Sequence, residues 1–165
     1  MADEYERILA ENARYTEAFD RSALTAAPLS GIAILACMDA RIDVEDALGL
    51  RVGDAHIIRN AGGFATQDAI RSLVISQELL GTREILVVAH TGCGLHGADE
   101  AAIRGRVKAT TGHDTDLVFG AFGDLDAMVR EQVRVLRSHP DLLRVPIHGL
   151  IYEVETGRLL SLIHI

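Results

Sequence analysis

Ile85-Leu86-Val87-Val88-Ala89-His90-Thr91-Gly92-Cys93 begins as a short apolar run and ends in an imidazole, a glycine turn and a thiol. A run this short, with no polar alternation, suits a strand buried on both faces, as in a parallel sheet. Ile32-Ala33-Ile34-Leu35-Ala36 repeats the pattern and ends at Cys37. Ala55-His56-Ile57-Ile58 gives a third strand, ending in Arg59-Asn60. Helical stretches separate these strands. Val44 to Leu50 is stopped by Gly49 and Gly53. Thr66 is the expected N-cap of a helix through Leu80, closed by Gly81. Beyond Cys93 an irregular stretch from Gly94 to Gly123 holds one helix, around Asp99 to Thr110. Leu125, Met128, Val129, Val133 and Leu136 mark another, ended near His139-Pro140. A fourth strand starts at Val145 and runs through Val154, and Thr156-Gly157 turns it into a hairpin with Leu159 to Ile163.

Strands alternating with helices predict a single α/β domain over residues 1–165. Its centre is a mainly parallel four-stranded sheet with flanking helices, extended by a C-terminal antiparallel strand. Before the first strand, residues 3–20 place Tyr5, Ile8, Leu9, Ala13, Tyr15 and Phe19 roughly on one helical face. Open parallel sheets bind ligands at the carboxyl ends of their strands. Cys37, Arg59-Asn60 and His90 to Cys93 all fall at that edge.

Composition narrows the function classes. Apolar residues make 48% of the 165-residue chain and charged residues 24%, the balance of an ordinary globular protein. Net charge is -8 without a long basic run, which argues against a nucleic-acid partner. No apolar run approaches the length of a membrane span. The acidic start Met1-Ala2-Asp3-Glu4-Tyr5-Glu6 lacks signal-peptide character, so a cytoplasmic location is expected. Two cysteines far apart in such a chain serve as core thiols, metal ligands or catalytic groups.

Position favours metal. His90-x-x-Cys93 leaves a strand on a glycine turn, letting imidazole and thiolate converge on one ion, and Cys37 can add a third ligand from a neighbouring strand. Two thiolates and one imidazole favour Zn²⁺. Three protein ligands with a fourth position for water is the pattern of catalytic zinc, whereas structural sites close the tetrahedron with a fourth protein ligand. Asp39 and Arg41 follow Cys37 closely. Arginine would hold that carboxylate ionised, and the carboxylate could orient a nucleophile.

Cys37-Met38-Asp39-Ala40-Arg41 resembles the Cys-x-Asp-x-Arg motif of the β-class carbonic anhydrases, and His90-Thr91-Gly92-Cys93-Gly94 their His-x-x-Cys-Gly motif. Ile58-Arg59-Asn60-Ala61-Gly62 resembles the family's second-strand segment, and Gly149 to Gly157 its C-terminal hairpin. The resemblance implies one zinc per subunit, bound by Cys37, His90 and Cys93. Asp39 would pair with Arg41 in an open, active site or ligate zinc in a closed one. The implied reaction is reversible hydration of carbon dioxide to bicarbonate and a proton by zinc-bound hydroxide. The resemblance also implies a homodimer or a dimer-based oligomer. In it, the N-terminal arm (residues 1–25) would pack on the partner subunit.

The pocket residues that follow from this reading are His56, Ala61, Gly62, Ile75 and Gly94. Three positions depart from plant-type members: Pro28 replaces a substrate-binding glutamine, His56 a phenylalanine and Ile75 a tyrosine. His56 and His96 are candidate proton carriers, neither assigned. The altered wall keeps open hydrolysis of carbonyl sulfide or carbon disulfide on the same scaffold. A non-catalytic zinc-binding interaction protein is the alternative from another class, and retention of Asp39 with Arg41 argues against it.

Overall fold

Short apolar strands need neighbours on both sides, and the chain supplies them in one sheet. The computed structural model describes residues 3–163; Met1 and Ala2 of the expected arm, and His164 and Ile165 of the expected domain, lie outside the described residues. Among the described residues, β1 (Ile32–Cys37), β2 (Ala55–Asn60), β3 (Glu84–His90), β4 (Ile147–Tyr152) and β5 (Leu159–Ile163) form a sheet of order β2-β1-β3-β4-β5. The first four strands in that order are parallel, and β5 returns antiparallel to β4. This is the expected architecture. The fourth strand is shorter at both ends than the apolar pattern suggested.

The helices are α1 (Glu4–Glu17), α2 (Val44–Leu48), α3 (Gln67–Glu78), α4 (Glu100–Thr111) and α5 (Leu125–Ser138). Capping explains their starts: Asp3, Asp43, Thr66, Asp99 and Asp124 each accept a backbone N–H from the first turn. α2 stops at Gly49, which takes the left-handed conformation at φ 66°.

Right-handed crossovers decide which face each helix covers. The path from β1 to β2 runs one way across the sheet; those from β2 to β3 and from β3 to β4 run the other. Accordingly α3 and α5 share one face, where Ala69, Ile70, Leu73, Val133 and Leu136 pack on Ala33, Leu35, Ile85, Val87 and Ile147. On the opposite face, Ile34, Ala36 and Val88 meet Ile42 and Val44 at the start of α2. β1 is therefore buried on both sides, which is why its sequence shows no alternation.

The reversal of strand order falls between β1 and β3, and a crevice forms at such a switch point. Cys37 ends β1 and His90 ends β3. α1 sits apart from this core with no buried residue: Tyr5 is 63% exposed and Ile8 54%. The helix ends at Glu17, so Phe19 lies beyond it. No helix among the described residues is long and apolar enough to cross a membrane.

Candidate metal centre

Parallel register brings the strand ends together. Cys37 lies opposite Asn60 of β2, and Ala36 lies opposite Val88, two residues before His90. The turn after β3 then returns Cys93 to the same crevice. The ligand atoms of Cys37, His90 and Cys93 lie within 4.8 Å of one another, all three residues buried. That separation suits bonds of ~2.0–2.3 Å to one ion.

Three observations favour a metal here. The His90 ring nitrogen Nδ1 is 2.9 Å from the Thr91 carbonyl oxygen. A carbonyl only accepts, so Nδ1 carries the proton and Nε2 presents its lone pair. Nε2 is buried and has no hydrogen-bond partner, an arrangement that costs stability unless something occupies it. Burial pushes the Cys93 thiol above its ordinary pKa, and the neighbouring Cys37 raises it further. A cation offsets both effects by pairing with the thiolates. The donor set of two sulfurs and one nitrogen suits a soft or borderline metal ion such as zinc.

Asp39 stands beside this cluster. Its Oδ1 accepts from the Arg41 backbone N–H at 3.0 Å and from Arg41 Nε at 2.9 Å, and its Oδ2 accepts from Arg41 Nη2 at 2.7 Å. Arg41 Nη2 also donates to the Gly92 carbonyl, 3.0 Å away, tying the pair to the turn between His90 and Cys93. These donors hold the Asp39 carboxyl far below the usual carboxylate range. Oδ2 lies 3.8 Å from His90 Nε2, outside bonding range, so Asp39 adopts the Arg41-paired arrangement.

A cavity of about 410 Å³ opens on the cluster, lined by Cys37, Met38, Asp39, Ala40, Ala61, Gly62, Cys93, Gly94 and Leu95. Of the pocket residues expected from sequence, Ala61, Gly62 and Gly94 are therefore in place. His56 and Ile75 are not. They line a separate cavity of about 270 Å³ between β2 and α3, because His56 is at the opposite end of its strand from Asn60.

His56 also has both ring nitrogens engaged: Nε2 donates to the Ala26 carbonyl at 2.8 Å, and Nδ1 accepts from the Ser76 hydroxyl at 2.7 Å. Within the chain it ties the segment before β1 to α3. His96 stacks on Phe122 with ring centroids 5.3 Å apart, and its Nε2 lies 3.1 Å from the Gly123 carbonyl oxygen.

Arg59, at the strand-end edge, has a bracing role that its sequence position alone does not reveal. It donates to the Cys37 carbonyl at 2.8 Å and to the Asp39 carbonyl at 2.7 Å, bracing the loop that carries both. The signal was its place in β2, one residue before the partner of Cys37. Asn60 likewise holds the Phe64 backbone N–H and carbonyl, both at 2.8 Å.

The family model described as carbonic anhydrase matches residues 32–119. The β-carbonic anhydrase 1 of Mycobacterium tuberculosis is 39% identical over 160 residues, covering 96% of each chain. A carbon disulfide hydrolase of Acidithiobacillus thiooxidans is 41% identical over 148 residues, covering 76% of this chain and 74% of that one. The crystal structure of a carbonic anhydrase from Streptococcus mutans superposes with a TM-score of 0.93 at 39% identity, covering 99% of both chains.

Proposed function

This chain belongs to the β-carbonic anhydrase family, and from that membership we propose how its site works. The protein is a lyase that reversibly hydrates carbon dioxide to bicarbonate and a proton. Cys37, His90 and Cys93 would hold one zinc ion per chain. When bound, zinc supplies the Lewis acidity that brings the pKa of water to ~7 and makes hydroxide available at neutral pH.

The observation that carries this reading is the Asp39 carboxylate clamped beside the cluster, facing the cavity without joining the ligand set. A structural zinc has no need of it. Ionised and acceptor-only, Asp39 Oδ2 would accept a hydrogen bond from a hydroxide held at the cluster and so orient it toward the cavity. Arg41 keeps that oxygen in place. The wall formed by Ala61, Gly62, Gly94 and Leu95, apolar in its side chains, would receive an apolar linear substrate. Paired with Arg41, Asp39 serves as a hydrogen-bond acceptor, and the product proton has to reach solvent.

Similarity to carbon disulfide hydrolases favours a second reading, with carbon disulfide or carbonyl sulfide as substrate. Metal analysis coupled to parallel assays of carbon dioxide hydration and sulfide release decides between them. Zinc near one per chain with rapid hydration is expected; rapid sulfide release with negligible hydration would reverse the assignment. Asp39→Ala should lower turnover by ~10²-fold or more while zinc stays bound. Undiminished activity in that variant would refute the role given to Asp39.

The exposed apolar side of α1 supports a homodimer or dimer-based oligomer. Two free thiols within ligand reach of each other suit a reducing compartment, and we assign the protein to the cytoplasm.

A further inference from the structure

Glu100 occupies the first position of α4, where an acidic residue ordinarily only complements the helix dipole. Its carboxylate is directed elsewhere. Oε1 accepts from the backbone N–H groups of Gly120 at 2.7 Å and Ala121 at 3.1 Å, and Oε2 accepts from Phe119 at 3.4 Å. Arg104 Nη2 donates to Oε2 at 2.8 Å and to the Leu117 carbonyl at 3.2 Å. These three amides lie in a partly buried stretch without regular structure, where a backbone N–H needs a partner.

The pinned segment continues into Phe122, which clasps the turn after Cys93. Phe122 N–H donates to the Leu95 carbonyl at 3.1 Å, and Gly97 N–H donates to the Phe122 carbonyl at 2.7 Å. The Phe122 ring packs edge-on against Phe64, centroids 6.2 Å apart. Phe64 in turn is wedged between Gly62 and Gly120, so closely that a Cβ on either glycine would press on its ring. Gly62 and Leu95 are wall residues of the cavity over the cysteines.

We propose that Glu100 is a positioning residue for the candidate active site. By fixing Phe119–Ala121 it holds Phe122 and Phe64 against Leu95 and Gly62, and so sets the shape of the apolar wall that receives substrate. The proposal rests on the functional reading above, and it makes Glu100 a determinant of substrate binding with no part in metal binding.

The test compares zinc-loaded wild type with Glu100→Ala and Glu100→Gln. α4 buries no residue, so both variants should fold. Glu100→Ala should keep wild-type zinc content and raise KM for carbon dioxide roughly 10-fold with kcat within about twofold. Gln keeps an oxygen for Gly120 and Ala121 and should recover most of that loss.

Amide hydrogen exchange at residues 95–97 and 119–122, in zinc-free and zinc-loaded protein, gives a readout that does not depend on turnover. Exchange should quicken in the Ala variant and largely return in the Gln variant. Unchanged KM, unchanged exchange, or zinc lost together with kcat would each overturn the proposal. Absence of carbon dioxide hydration in the wild type would instead overturn the functional reading, leaving the exchange comparison to judge the latch by itself.

Discussion

Gly63 lets the chain pass close against the strand end that carries Cys37. It sits at φ 68°, and a Cβ there would lie 3.1 Å from the backbone carbon of Ala36 and the backbone nitrogen of Cys37. Neither atom can move aside without displacing the strand end that presents Cys37. Gly63→Ala should therefore destabilise by about 2 kcal/mol through backbone strain, lowering Tm by roughly 4–8 °C. Thermal unfolding checks this, and an unchanged Tm would mean that the segment relaxes freely. His90 and Asp39 make the complementary point about residue identity. One is set by which of its nitrogens is left bare, the other by the guanidinium that keeps it charged.

At the level of elements, β2 contributes more to the site than its partly exposed residues suggest. Arg59 reaches across to brace the carbonyls of Cys37 and Asp39. Residues that orient ligands without touching the metal typically change affinity ~10–100-fold, so Arg59→Gln should weaken zinc retention on that scale in chelator competition. Retention equal to wild type would show that the β1 loop holds itself.

The β4–β5 hairpin carries a separate pH dependence. Glu153 accepts from the Arg158 guanidinium at 3.0 and 3.1 Å and from the Thr156 hydroxyl at 2.7 Å, which keeps its carboxyl below the ordinary value. A carboxyl with a depressed folded-state pKa contributes stability above its unfolded pKa and loses it as pH falls through the folded one. The difference in unfolding midpoint between wild type and Glu153→Gln should stay level above pH ~5 and shrink as pH falls below the ordinary glutamate value of ~4.3. A difference independent of pH would remove Glu153 from the account.

Seen whole, the described residues form a well-buried sheet and a helix, α1, with no buried residue. Tyr5, Ile8, Leu9, Tyr15 and Phe19 are all at least 48% exposed, an apolar surface of the kind that association covers. Sedimentation should give a dimer or a multiple of it, and removing residues 3–20 should weaken assembly; a wild-type monomer at micromolar concentration would refute the proposed association. Much of the fold was legible in advance. Unbroken apolar strands can only be buried on both faces, and that requirement together with alternating helices leads to a parallel sheet. The meeting of Cys37, His90 and Cys93 was legible for the same reason, since Cys37 and His90 terminate such strands and His90-x-x-Cys93 spans one turn. Of the expected pocket residues, Ala61, Gly62 and Gly94 line the cavity over the cysteines, while His56 and Ile75 line another. His56 starts β2 where Asn60 ends it, and so belongs to another cavity. Local pattern thus encodes the strands, the Cys37, His90 and Cys93 donors at their ends and the Asp39–Arg41 pair, all within a few consecutive residues. The packing behind that wall comes from the folded chain alone, because Phe64, Leu95, Glu100 and Phe122 meet through chain reversals that no local pattern records.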